Sequence, residues 1–102
     1  MQCDMNREER ADELVRKVFA PIYNKHVGDG ELTSWNWLQH HVGGKWRRIL
    51  TMGAADHKTL MRTRAAIFAE FDDRRVERAA NELNEICDTH QDYLWDILRQ
   101  TP

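Results

Sequence analysis

The feature that most constrains this chain is the pair Gly43-Gly44, flanked on both sides by hydrophobicity of period two. Residues 33–42 and 45–52 read as the two strands of a β-hairpin, because adjacent glycines accept the positive φ angles that a two-residue loop demands. With Val42 opposite Lys45, the register pairs His41 with Trp46, Gln39 with Arg48, Trp37 with Leu50 and Trp35 with Met52. Three tryptophans, Trp35, Trp37 and Trp46, then share one face with Gln39, His41 and Arg48. The opposite face carries Ser34, Asn36, Leu38, His40 and Val42 against Lys45, Arg47, Ile49 and Thr51, and is more polar.

Helical patterning surrounds the hairpin. Residues 6–27 place Leu14, Val15, Val18, Phe19, Ile22 and Val27 at helical spacing, with Asn6 as cap, Glu9 at the reciprocal capping position and Gly28 as the stop. Pro21 removes the bond to the carbonyl of Lys17, so this helix either kinks there or gives way to a second short helix that Pro21 opens. Asp56 is positioned to cap a further helix carrying Leu60, Met61, Ile67, Phe68 and Phe71. The cluster Asp72-Asp73-Arg74-Arg75 interrupts that helix or lies on its solvated face, and residues 74–84 continue in helical period. Residues 93–98 are apolar but too few to separate a last strand from a helix end.

Read in order, with Gln2–Met5 taken as a clipped strand, the pattern is β-α-β-β-α-β, an α+β ferredoxin-like split βαβ arrangement spanning residues 1–102 as a single domain. Residues 1–5 are short for a first strand. That points to a longer natural chain or to a strand before Met1 in a precursor, and either would carry a localisation signal out of view. The net charge of −2 argues against a domain built to neutralise nucleic-acid phosphates. No apolar run approaches ~18 residues and the N-terminus lacks the basic and apolar regions of a signal peptide, so the chain as it stands reads as soluble and cytoplasmic, with no membrane partner. Cys3 and Cys87 are too few for a disulfide framework and say little about redox compartment.

Ser34-Trp35-Asn36-Trp37-Leu38-Gln39-His40, then Gly43-Gly44-Lys45-Trp46-Arg47-Arg48, Ala55-Asp56-His57, Asn84-Glu85-Ile86-Cys87 and His90-Gln91-Asp92-Tyr93-Leu94-Trp95 together resemble a group of small bacterial proteins of the dimeric α/β-barrel type. That group carries no assigned activity. It is distantly related to antibiotic-biosynthesis monooxygenases, stress-responsive proteins and haem-degrading enzymes. The resemblance implies two ferredoxin-like sandwiches packed sheet against sheet, with ligands in a cleft between sheet and helices. Fold of this kind is a weak guide to chemistry.

The residues themselves leave two functions open. In the first, Trp35, Trp37 and Trp46 wall a pocket for a flat hydrophobic molecule, with Gln39 and Arg48 supplying placed polar groups; Arg48 suits a carboxylate or phenolate on the ligand. Such a binder could also be an oxygenase-like enzyme, cofactor-independent or haem-using, with His41 and His90 as the acid/base candidates. In the second, the tryptophan face serves only assembly of a non-catalytic homodimer. Cys87 and His90 have a C-x-x-H spacing but lack a second pair, so no metal site is expected. The absence of a Gly-rich phosphate loop or Rossmann fingerprint disfavours nucleotide cofactors, and none is expected. Strand alternation puts Lys45 and Arg47 on one face and Trp46 and Arg48 on the other, which undoes a nucleic-acid patch.

Overall fold

The computed structural model describes residues 1–100 and has mixed α and β structure. After a 3-10 turn at Met5–Arg7 come α1 (Glu8–Leu14), a π-helical turn (Val15–Phe19) and α2 (Ala20–Gly28). The hairpin strands β1 (Ser34–Gln39) and β2 (Arg48–Gly53) follow, then α3 (His57–Ala69), a 3-10 turn (Glu70–Asp72) and α4 (Arg74–Ile86).

The hairpin keeps the expected register: Trp35 faces Met52, Trp37 faces Leu50 and Gln39 faces Arg48, antiparallel. It is shorter than the sequence suggests. The ladder reaches the bond from His40 N–H to Arg47 O (3.0 Å) and stops, so His41 and Trp46 are not strand partners. Residues 41–45 are all exposed, and a two-stranded ribbon with nothing packed on it holds little order of its own. Gly43 and Gly44 do take positive φ, +74° and +79°, as the turn requires.

Pro21 is accommodated one turn earlier than a simple kink would have it. The N–H of Ala20 reaches back to Val15 O, which widens the helix to a π turn just ahead of the proline. Val15, Val18 and Phe19 from this turn are buried and lie in the core with Ala11, Leu14 and Tyr23. The N-terminal cap differs from expectation: Asp4, not Asn6, accepts, from the N–H of Asn6 at 3.0 Å, and α1 itself has no side-chain cap. At the other end Gly28 closes α2, and Gly30 at φ +77° turns the chain so that the N–H groups of Glu31 and Leu32 return to His26 O. Asp56 caps α3 as expected, through Thr59 N–H at 2.7 Å. The acidic-basic cluster is a true break, since Asp73 accepts from Arg75 and Val76 N–H and starts α4.

The expected four-stranded sheet is absent among the described residues, which hold only β1 and β2 as strands. Gln2–Met5 forms no strand, and its ladder is a single antiparallel bridge from Gln2 to Thr89. Residues 93–98 are neither strand nor helix. What the N-terminus does instead is stitch. Met1 N donates to Arg48 O at 2.7 Å, and Met1 O accepts from Arg47 N–H at 2.9 Å and from Arg48 N–H at 3.3 Å, so the exchange with Arg48 resembles an antiparallel pair whose carbonyl is shared with Arg47. Gln2 N–H donates to Thr89 O (2.7 Å) and Asp4 N–H to Ile86 O (2.8 Å). Cys3 and Cys87 form a disulfide across 84 residues of sequence. The cysteines, uninformative by spacing, therefore close nearly the whole chain into one loop. No helix is long and apolar enough to cross a membrane among the described residues.

A cross-link over so long a loop restricts the unfolded chain strongly. Reduction, or Cys3→Ser, is expected to lower unfolding free energy by ~2–5 kcal/mol, read as a lower urea midpoint in reductant than without it; equal midpoints would show that the bond contributes nothing.

Candidate functional site

The tryptophan face of the hairpin is turned inward against α1 and α2. Acidic residues Glu8 and Asp12 sit one turn apart and continue the stripe of Val15, Phe19 and Tyr23, so the helix face that meets the sheet begins with two carboxylates. Arg48 answers both. Its Nε and Nη2 fork Asp12 at 2.8 and 2.9 Å, and its Nη1 bonds Glu8 at 2.6 Å. Arg47 also bonds Glu8. Arg48 is only 3% exposed and Glu8 6%, so these charges are held out of water and depend on each other. Trp37 Nε1–H donates to Asp12 at 2.8 Å, and Trp35 stacks on Tyr23 (5.1 Å) while donating to Asn24 at 2.8 Å. The Arg48 hydrogen bonds hold the Asp12 carboxyl below the usual carboxylate range.

Arg48 was the expected anchor for a ligand anion, but its side chain is taken up by Glu8, Asp12 and the Arg47 carbonyl. Gln39 is exposed near the strand end, and His41 is exposed in the loop. His90 is also exposed, 3.8 Å from Asp92. The aromatic residues assigned to covering a second protomer are spent on the helices; the outward sheet face offers Leu38 and Ile49 beside the Asn36–Thr51 hydrogen bond (3.0 Å). Cys87, in its disulfide, has no thiolate for the C-x-x-H pairing with His90.

Beside this packed interface lies a cleft of about 1670 Å³. Its walls include Trp37, Leu50 and Met52 from the sheet, Phe19 from the π turn and Leu83 from α4. Residues 90–100 line it from the other side, so of the sequence candidates it gathers Trp37, Trp46 and His90, and leaves out Trp35, Gln39, His41 and Arg48. The C-terminal segment is held across it by exposed ion pairs, His57 to Asp96 at 2.7 Å and Arg64 to Asp92 at 3.5 Å. Exposed pairs of this kind contribute about 0–1 kcal/mol each, so the segment is lightly held. It also shows large apolar groups to solvent, from Leu94 at 54% to Leu98 at 95% exposed.

One buried group had no reading in the sequence. His26, 5% exposed at the end of α2, has Nε2 2.8 Å from Glu70; its Nδ1 is 3.3 Å from Glu31 without the alignment of a hydrogen bond. Its partners lie far along the chain or beyond a turn, and no period marks them.

Arg48→Met is expected to cost ~3–5 kcal/mol by removing the buried cation shared by Glu8 and Asp12, which leaves the Glu8 carboxylate to Arg47 alone, visible in urea melts. Asp12 adds a pH signature. Its lowered folded-state value stabilises the fold above the unfolded carboxylate value, about 3.9, and that contribution is lost as pH falls through the folded value. The stability gap between the native chain and Asp12→Asn should therefore be full at pH 6 and shrink below ~pH 4; a gap independent of pH would remove the ion pair from the account. Set against family models, curated proteins and solved structures, the chain finds no match.

Proposed function

We propose that this protein is a binding module that takes an apolar guest, in its simplest form a flat hydrophobic small molecule, in the cleft between sheet, helices and C-terminal segment. The observation that carries the reading is the cleft itself, whose indole, thioether and branched aliphatic walls have His57, Arg64 and His90 among their polar groups. Ligand sites are commonly apolar hollows with a few placed polar groups. The polar anchors of such a guest are the groups on α3 and the C-terminal segment, since the Arg48 side chain is occupied by Glu8 and Asp12.

The ferredoxin-like split βαβ architecture, and with it kinship to the dimeric α/β-barrel proteins, belongs to the same proposal. Its support is lateral order: Thr89 bridges Gln2, Met1 pairs with Arg48, and Arg48 faces Gln39, each step antiparallel. That is the order expected of a split βαβ sheet whose first and last strands are cut to a residue or two. A second reading, a homodimeric assembly module, draws on Leu38 and Ile49, exposed together on the outer sheet face.

Ala80 on α4 lines the cleft and has room toward it. With 8-anilinonaphthalene-1-sulfonate as a flat aromatic probe, saturable fluorescence enhancement is expected, weakened at least tenfold by Ala80→Phe and unchanged by Leu38→Asp, which lies outside the cleft lining, with cooperative melting retained in all three proteins. Leu38→Asp abolishing the signal while Ala80→Phe leaves it intact would move the site to the outer face and favour assembly.

A further inference from the structure

The backbone of β2 gives the cleft a direction. Because His40 and Arg47 are joined by a ladder bond, alternation along the hairpin points the backbone groups of Arg48, Leu50 and Met52 away from β1. Arg48 satisfies its outward groups with Met1. Leu50 and Met52 form no backbone bond outside the hairpin among the described residues, and both line the cleft. Across the cleft, the segment beyond Thr89 is neither helix nor strand and likewise makes no backbone bond to another segment among the described residues. An open strand edge thus faces the hollow with residues 90–100 across it, and the Met1–Gln2 stretch already sits between them at one end, bonded to Arg48 on one side and Thr89 on the other.

We propose that the cleft is a slot for an extended strand of a separate polypeptide, added antiparallel to β2 in line with Met1–Gln2. This rests on the cleft being the binding site, and it names the guest. The volume favours it over a compact ligand: drug-sized molecules use about 300–1,000 Å³, and the cleft measures about 1670 Å³. The register sets the guest's chemistry. Residues directly opposite in an antiparallel pair project to the same face, so guest residues facing Leu50 and Met52 point toward the helices, where Phe19 and Leu83 lie, and are apolar. The residue between them points outward beside Thr51 and tolerates a polar side chain. The motif is apolar, any residue, apolar, in extended backbone, with both apolar residues exchanging N–H and C=O with β2. Binding of this kind takes affinity from the main chain and specificity from alternate side chains.

The test uses the acetylated, amidated heptapeptide Lys-Thr-Val-Thr-Val-Thr-Lys and the same peptide N-methylated at both valines, which keeps the side chains and removes the donors. Expected are slowing of amide exchange at Leu50 and Met52 by tenfold or more, displacement of bound anilinonaphthalene sulfonate, and at least tenfold weaker binding by the methylated peptide. Equal binding of the two peptides overturns the proposal. So does protection of Leu50 and Met52 already present without peptide, which would mean that residues 93–98 close onto β2 of their own chain or, if it grows with protein concentration, of a second copy. The fluorescent probe binding while the peptide does not ends the strand slot and leaves the cleft as a small-molecule site; neither binding ends both.

Discussion

A guanidinium taken out of water organises this molecule. Desolvating such a charge costs several kcal/mol unless it is paired and its donors are satisfied, and the Arg48 side chain finds Glu8, Asp12 and a backbone carbonyl. Those two carboxylates are one helical turn apart on α1, so their pairing sets both the rotation of α1 and its height against β2. Trp37 borrows Asp12, and Trp35 reaches α2 through Tyr23 and Asn24, which extends the same seam along the helix. The backbone of Arg48 at the same time holds Met1. One residue thus joins hairpin, helix and N-terminus, and the walls of the cleft stand where they do because of it.

The local elements were legible because their causes are local. Gly43-Gly44 and alternation dictate the register that puts Gln39 opposite Arg48, and Asp56 ahead of a period of 3.6 marks the start of α3. Extent was less legible than register, since the length of the ladder depends on what packs against it, and nothing packs against residues 41–45. The partners of Arg48 were less legible for a related reason: its face was identified, but whether a cation on that face meets a ligand or a carboxylate depends on the rotation of α1. Glu8 and Asp12, in line with Val15 and Phe19, were the available signal. The Cys3–Cys87 bond and the Glu31–His26–Glu70 contacts left no such trace, because residues distant in sequence become neighbours only once the topology is set.

Residues 93–98 show most clearly how a strand-like sequence differs from a strand. Tyr93, Leu94, Trp95, Ile97 and Leu98 have the apolar character of one, yet strand conformation is stabilised by a neighbouring edge, and the pairing on their side is the single Gln2–Thr89 bridge. The result is a segment without regular structure, fastened by surface ion pairs over an apolar hollow. Exposed apolar groups and open backbone edges carry a free-energy cost that a guest relieves, so the same feature that leaves the sheet incomplete provides the driving force for binding.

The disulfide has a mechanical consequence. Cys3 and Cys87 bracket every buried core residue from Ala11 to Ile86. Tension applied to the chain outside Cys3 and Cys87 therefore runs across a covalent bond, and the load path bypasses the core. Pulling peels away the described residues 88–100, then meets the sulfur bridge while helices and hairpin remain slack. Under tension the molecule behaves as a knotless closed ring with a short detachable strap, and the strap is the part that borders the cleft.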